Sequence, residues 1–133
     1  MFGDLDYVDV TTPTAAGGAG VATGNATSSR IIDGQIVAVQ LKYIDSPPVT
    51  TDVAVELVDS DAGFANQPIV TKSNSATDIT LYPQVQACDT DGVAITGAYA
   101  PIVGHGYVKV TMSQANNNDQ VLARIWFKRT GLK

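Results

Sequence analysis

Cysteine, histidine and tryptophan each occur once in this 133-residue sequence, and each scarcity excludes something. With Cys88 alone, no intrachain disulfide can form, so the cross-linked framework of small secreted domains is ruled out. A lone cysteine beside a strand reads as a small buried apolar side chain. His105, between Gly104 and Gly106, has no Ser or Cys nucleophile motif with it, so no nucleophile–base–orienter set can be assembled. A turn histidine without a catalytic role is the expected reading. Charge is also sparse, at 16% of residues, and its balance of −5 argues against binding a phosphate backbone. No apolar run approaches the ~18 residues of a membrane span. The opening MFGDLDYVDV lacks the basic and apolar regions of a signal peptide, so synthesis in the cytoplasm is expected.

Binding motifs are equally scarce. No glycine-rich loop follows a strand and opens a helix, so no nucleotide cofactor is expected. Two Asp-x-Asp pairs, Asp59 with Asp61 and Asp89 with Asp91, look like fragments of calcium loops. Neither is followed by the further oxygens and distal glutamate of a full loop, and Asp favours turns through its own hydrogen bonds. No metal site is assigned.

What is present is strand pattern. In IVAVQLKYI, Val37, Val39, Leu41 and Tyr43 alternate with Ala38, Gln40 and Lys42, the period of a half-buried strand. Pro47 and Pro48 stop it, since proline cannot donate to a ladder. DVAVELV repeats the alternation with Val53, Val55 and Leu57 inward. Shorter runs follow at 69–71, 78–82, 85–88 and 93–96. The last two strands are long: Val108, Val110 and Met112 share one face, as do Val121, Ala123, Ile125 and Phe127. Gln114 to Asp119 forms the polar hairpin loop between them. No window has helical period. The fold class is therefore all-β, a single-domain β-sandwich or jelly roll of about eight to nine strands with an extended N-terminal arm. Residues 1–30 form the arm and a Gly/Ala/Ser/Thr-rich segment, and residues 31–133 the sandwich.

Two features suggest surfaces that meet a partner. Residues 1–100 carry a net charge of −9 and residues 101–133 carry +4, so either two faces of one domain differ in charge or a basic C-terminal edge faces an acidic surface on a neighbour. Within that edge Trp126 lies out of phase with the inward residues, flanked by Arg124 and Lys128. It is packed in the second layer, sheathed by their stems or an exposed anchor, since Trp and Arg are enriched at interface hot spots. The second feature is the arm, where Phe2, Leu5, Tyr7 and Val8 are too apolar for a solvated tail. They are expected to dock on a neighbouring chain as an added strand, with folding back as an edge strand the alternative. These four, with Arg124, Trp126 and Lys128, are the expected interface residues.

Ile36 to Arg129 resembles a family of small jelly-roll proteins on the heads of tailed bacteriophages. The similar segments are GQIVAVQLKYI, SPPVTTDVAVELV, LYPQVQACDTDG, APIVGHGYVKVTMSQA and VLARIWF, in that order. The resemblance implies a head-decoration, or cement, protein: a homotrimer bound to the major capsid protein lattice, on the outer surface of the virion, with no catalytic residues. The alternative is a carbohydrate- or receptor-binding module of a phage fibre or adhesin, suggested by Trp126 and the Asp-rich turns.

The pattern makes a spectroscopic prediction. Far-UV circular dichroism is expected to show β structure with negligible helix. A helical fraction near the ~30–35% average of globular proteins would refute the sandwich.

Overall fold

Apolar residues at every second position, broken by Pro, Gly and Asp clusters, become nine antiparallel strands among the residues described by the computed structural model, 5–59 and 63–129. These are β1 (Leu5–Thr11), β2 (Ala22–Ile44), β3 (Asp52–Val58), β4 (Gln67–Lys72), β5 (Ile79–Leu81), β6 (Gln84–Cys88), β7 (Ala94–Pro101), β8 (Val103–Ala115) and β9 (Gln120–Arg129). Phe2 and Asp61 lie outside the described residues.

Hydrogen bonding runs in the order β1-β9-β2-β8-β3-β4, with β5 paired to β2 off this path. The 23-residue β2 turns that path into two layers. Its first part, from Ala22 to Gln35, pairs with β8. Its second part, from Gly34 to Ile44, pairs with β9 on one edge and, at residues 39–41, with β5 on the other. A strand that changes sheets in this way makes the corner of a β-sandwich. The change happens at Gly34, whose partners are both Gly104 and Arg129. Gly34 has φ 140°, and a Cβ there would sit 1.9 Å from the Lys128 carbonyl oxygen. No other residue fits that crossing.

The inner faces meet in one cluster that includes Val8, Val10, Val39, Leu41, Val55, Val110, Ile125 and Phe127. Inward residues are as the alternation predicts for β3, β8 and β9. In β2 there is one correction. A bulge between Ile36 and Ala38 inserts an extra residue against β9, so Ile36 points into the core and Val37 does not. A second irregularity, between Thr27 and Ile31, is bridged by buried Ser28. Its Oγ accepts from the Val108 N–H at 3.0 Å and donates to the Arg30 carbonyl at 2.7 Å. The hydroxyl restores the bonds that the ladder loses there.

The N-terminal boundary is also corrected. Residues 5–11 pair along their whole length with β9 of the same chain, and Val8 and Val10 are buried in its core. Residues 22–30 belong to β2. The segment 1–30 is therefore not a separate arm over its described part; of the two alternatives, folding back is what the structure contains. The loop at 114–119 packs on the segment after β1. The Asp119 carbonyl accepts from Ala15 N–H, the Ala15 carbonyl from Asn118 N–H, and Asn116 Oδ1 from Gly20 N–H.

One pair of strands stands apart. Among the described residues β6 and β7 pair only with each other, as a two-stranded sheet.

Burial sets the expected mutational response. Leu41→Ala should cost about 2–5 kcal/mol in urea denaturation, as truncation of a buried leucine does. Its outward neighbour Lys42→Ala should stay within about ±0.5 kcal/mol. Gly34→Ala should be at least as costly as the leucine truncation, because the added methyl meets backbone rather than a side chain that can move. A Gly34→Ala domain of unchanged stability would refute the crossing.

Candidate functional site

Inward residues of β1 and β9 build the core, so their alternates form the outer face of the sheet β1-β9-β2-β5. Strand register arranges that face in rows. Tyr7 lies opposite Trp126, and Trp126 opposite Ala38. One step along, Asp9, Arg124, Gln40 and Thr80 form a row across four strands. The next row holds Thr11, Leu122 and Lys42.

Side-chain contacts lock the rows together. The Tyr7 and Trp126 rings lie 4.9 Å apart at 50°, within the range of favourable tilted aromatic pairs. Arg124 stacks its guanidinium 4.2 Å over the Tyr7 ring. It also donates from Nε and Nη2 to both oxygens of Asp9, at 2.7 and 2.9 Å. That bidentate carboxylate holds Arg124 more firmly protonated than usual. Trp126 Nε1 donates to Gln40 Oε1 at 2.7 Å. Beside the polar row an open cleft of about 510 Å³ runs between β9, β2 and β5.

The expected interface residues are thus partly assembled. Tyr7, Arg124 and Trp126 come together on the outer face, with exposed Leu5 opposite Lys128 beyond them. Val8 does not join them. It is buried in the core, because strand alternation turns it to the opposite face from Tyr7. Trp126 is half-buried, with its ring against Tyr7 and its N–H engaged by Gln40.

The charge asymmetry finds its partner within the chain. The basic edge on β9 meets the acidic strand β1: Arg124 pairs with Asp9, and Arg129 with Asp6. Arg30 of β2 reaches the same Asp6 carboxylate at 3.1 Å and donates to the Tyr7 carbonyl at 2.6 Å. The last contact occupies a backbone acceptor on the outer edge of β1, where an added strand would otherwise bond. The expectation that this edge faces an acidic neighbour is corrected accordingly.

His105 and Cys88 are both exposed. His105 Nδ1 lies 3.7 Å from Asp33, directly across the β2–β8 ladder. The glycine after it serves packing: at Gly106, φ 155°, a Cβ would lie 2.3 Å from the Val58 carbonyl oxygen. Cys88 ends β6 on the two-stranded sheet, which has no core to bury it. Asp89 closes the turn that follows, its Oδ1 accepting from the Asp91 and Val93 N–H groups at 2.9 and 3.0 Å. Asp59 Oδ2 accepts from Phe64 N–H at 3.2 Å. Among the described residues no group of three or more potential metal ligands gathers.

The runs at 85–88 and 93–96 are strands as expected, but sequence reasoning missed that they form an exposed ribbon. Val85, Val93, Ile95 and Tyr99 are all exposed on it, Tyr99 by 60%, and Tyr82 at its base by 74%. The alternation there looked like that of any strand. Gln40 was legible as an outward residue, yet only register places Thr80 beside it.

No family model and no curated protein matches the chain. Among solved structures it is similar to point mutants of a family 29 carbohydrate-binding module, CBM29-2, made to probe ligand recognition. One has 12% identity over 93% of this chain and 75% of the other, with a TM-score of 0.44. A second has 13% identity over 97% and 84%, also with a TM-score of 0.44. A further family 29 mutant gives 13% identity over 93% and 80%, with a TM-score of 0.42. A likeness that distant assigns neither ligand nor function.

The Asp6 cluster predicts an acid response. The bond from Arg129, aided by the Tyr7 N–H and Arg30 and opposed by burial, holds the Asp6 carboxyl below its ordinary value of 3.8. Its stabilisation is therefore fully present above that value and lost as pH falls through the lowered one. Asp6→Asn should flatten the acid limb of a stability–pH profile measured by urea denaturation. An unchanged acid limb would remove Asp6 from the account.

Proposed function

We propose that this domain is a non-catalytic assembly protein that decorates the outside of a phage capsid, bound to the major capsid protein lattice as a homotrimer. The observation that carries this reading is the β6–β7 ribbon. A two-stranded hairpin is at best marginally stable alone in water, and contiguous exposed apolar side chains mark interaction sites. Val93, Ile95 and Tyr99 have no place in the domain's own core. Residues 73–108, which include the ribbon, contain Asp78, Asp89 and Asp91 and no Lys or Arg, so the ribbon presents apolar side chains with acidic charge at its turn. Such a surface suits a protein partner with an apolar groove and basic rim. Many copies on a lattice would multiply a modest contact through avidity. The resemblance of Ile36 to Arg129 to head-decoration proteins points the same way.

In the test, cryo-electron microscopy of particles carrying this chain is expected to place the sandwich on the outer shell with the ribbon at the contact. Ile95→Ser with Tyr99→Ser should strip the protein from particles. The stability of the isolated domain should change by no more than about ±0.5 kcal/mol per exposed site. Absence of the chain from purified particles would end the proposal.

A second reading is a carbohydrate-binding module, favoured by the outer face of the sheet β1-β9-β2-β5. Aromatic rings, an amide, a guanidinium, a carboxylate and a hydroxyl are lined up there beside an open cleft. The two readings use different surfaces, so ribbon variants and face variants separate them.

A further inference from the structure

We infer that the cleft between β9, β2 and β5 is a subsite for a neutral oligosaccharide lying across the strands, with Gln40 as its central donor and Trp126 positioning Gln40. This assignment rests on the carbohydrate-binding reading above and names the ligand class and the contact residues.

The polar walls of the cleft are formed by Gln40, Lys42, Asp78, Thr80 and Arg124, with Leu41, Ile79 and Leu122 between them. Its volume, about 510 Å³, lies within the ordinary range of small-molecule sites. Charge balance decides against an anion. Arg124 is already neutralised by bidentate Asp9, and Lys42 shares the cleft with the Asp78 carboxylate. An anion site gathers uncompensated cations, and this one has none to spare. What remains is a mixture of donors and acceptors beside the apolar residues Leu41, Ile79 and Leu122. A neutral polyol matches that mixture, since each hydroxyl both donates and accepts and the C–H face of a sugar ring can rest on an aliphatic group.

The geometry of Gln40 sharpens the case. Its Oε1 is held by the Trp126 indole N–H at 2.7 Å. The orientation of the amide is thereby fixed, and its two N–H donors are left for the cleft side. Thr80 stands directly across from Gln40 on β5, and Arg124 directly across on β9. Neighbouring strands are about 4.8 Å apart, so the row offers one polar group per strand at a spacing comparable to the width of a pyranose ring. Asp78 is also fixed: its Oδ1 accepts from the Tyr43 N–H at 2.9 Å, leaving Oδ2 as the acceptor. These polar groups are held before any ligand arrives, which lowers the ordering cost of binding.

The experiment is a nuclear magnetic resonance titration of the full chain with cellohexaose, mannohexaose, xylohexaose and chitohexaose, each alone, and with an oligogalacturonate as the anionic comparison. At least one neutral hexasaccharide is expected to shift the amides of Gln40, Thr80 and Leu122 saturably, with little dependence on salt. Gln40→Ala and Thr80→Ala should each weaken binding at least tenfold at an unchanged melting temperature. Trp126→Phe keeps an aromatic ring but not the indole N–H, and should weaken binding several-fold while far-UV dichroism stays the same. If a neutral saccharide binds but its shifts map elsewhere and Gln40→Ala has no effect, this subsite is overturned while the carbohydrate reading survives. Binding of the oligogalacturonate alone, abolished by salt, overturns the assignment of ligand class. If none of the probes binds saturably, the subsite and the carbohydrate reading fall together.

Discussion

The close approach of Gly34 to the Lys128 carbonyl governs the rest of the architecture. Only at a residue without a side chain can β2 leave β8 and take up β9 within a single continuous strand. That crossing brings one strand into both layers, so the layers share a rigid edge and their inner faces meet at a fixed angle. The bulge at Ile36 to Ala38 follows directly after the corner and resets the alternation, so that Val39, Leu41 and Tyr43 face the core of the second layer. Without the switch, the outer face that carries Trp126 and Gln40 would have no β9 to lie on.

Closure of the second layer depends on charges from opposite ends of the chain. β1 supplies Asp6 and Asp9, and β9 supplies Arg129 and Arg124. Exposed ion pairs contribute little individually, on the order of 0–1 kcal/mol. Their value here is register. A slip of one residue would put Val8 and Val10 in solvent and separate both carboxylates from their arginines. Arg30 adds a third basic group at Asp6, stacks 5.9 Å over the buried Phe127 ring and occupies the Tyr7 carbonyl. The same few side chains thus fix the strand, cap the end of the core and block its open edge.

The two surfaces available for binding differ in physical kind. The outer sheet face is polar, ordered by cross-strand contacts and largely complete without a partner. The β6–β7 ribbon exposes apolar side chains and, among the described residues, pairs only with itself and has no second layer over it. A face of the first kind suits a small hydrated ligand, where specificity comes from placed hydrogen bonds. The second suits a protein, where burial of side chains such as Tyr99 and Ile95 supplies the free energy.

Alternation alone determined the all-β class, the inward residues of β3, β8 and β9, and the polar loop at 114–119. These were legible because side-chain direction in a strand depends only on parity and the nearest turns. Parity also placed Trp126 and Gln40 outward. It could not place them relative to one another, since that depends on pairing between strands dozens of residues apart. For the same reason the charge imbalance suggested a neighbour, when the acidic strand belonged to the chain itself. The ribbon deceived in the opposite way: Val93 to Thr96 has the pattern of a core strand, and nothing local reveals that no layer covers it. Sequence settled what each residue prefers to face. Tertiary structure decided what it meets, because contacts between distant strands are set by where β2 crosses at Gly34 and not by the composition of either strand.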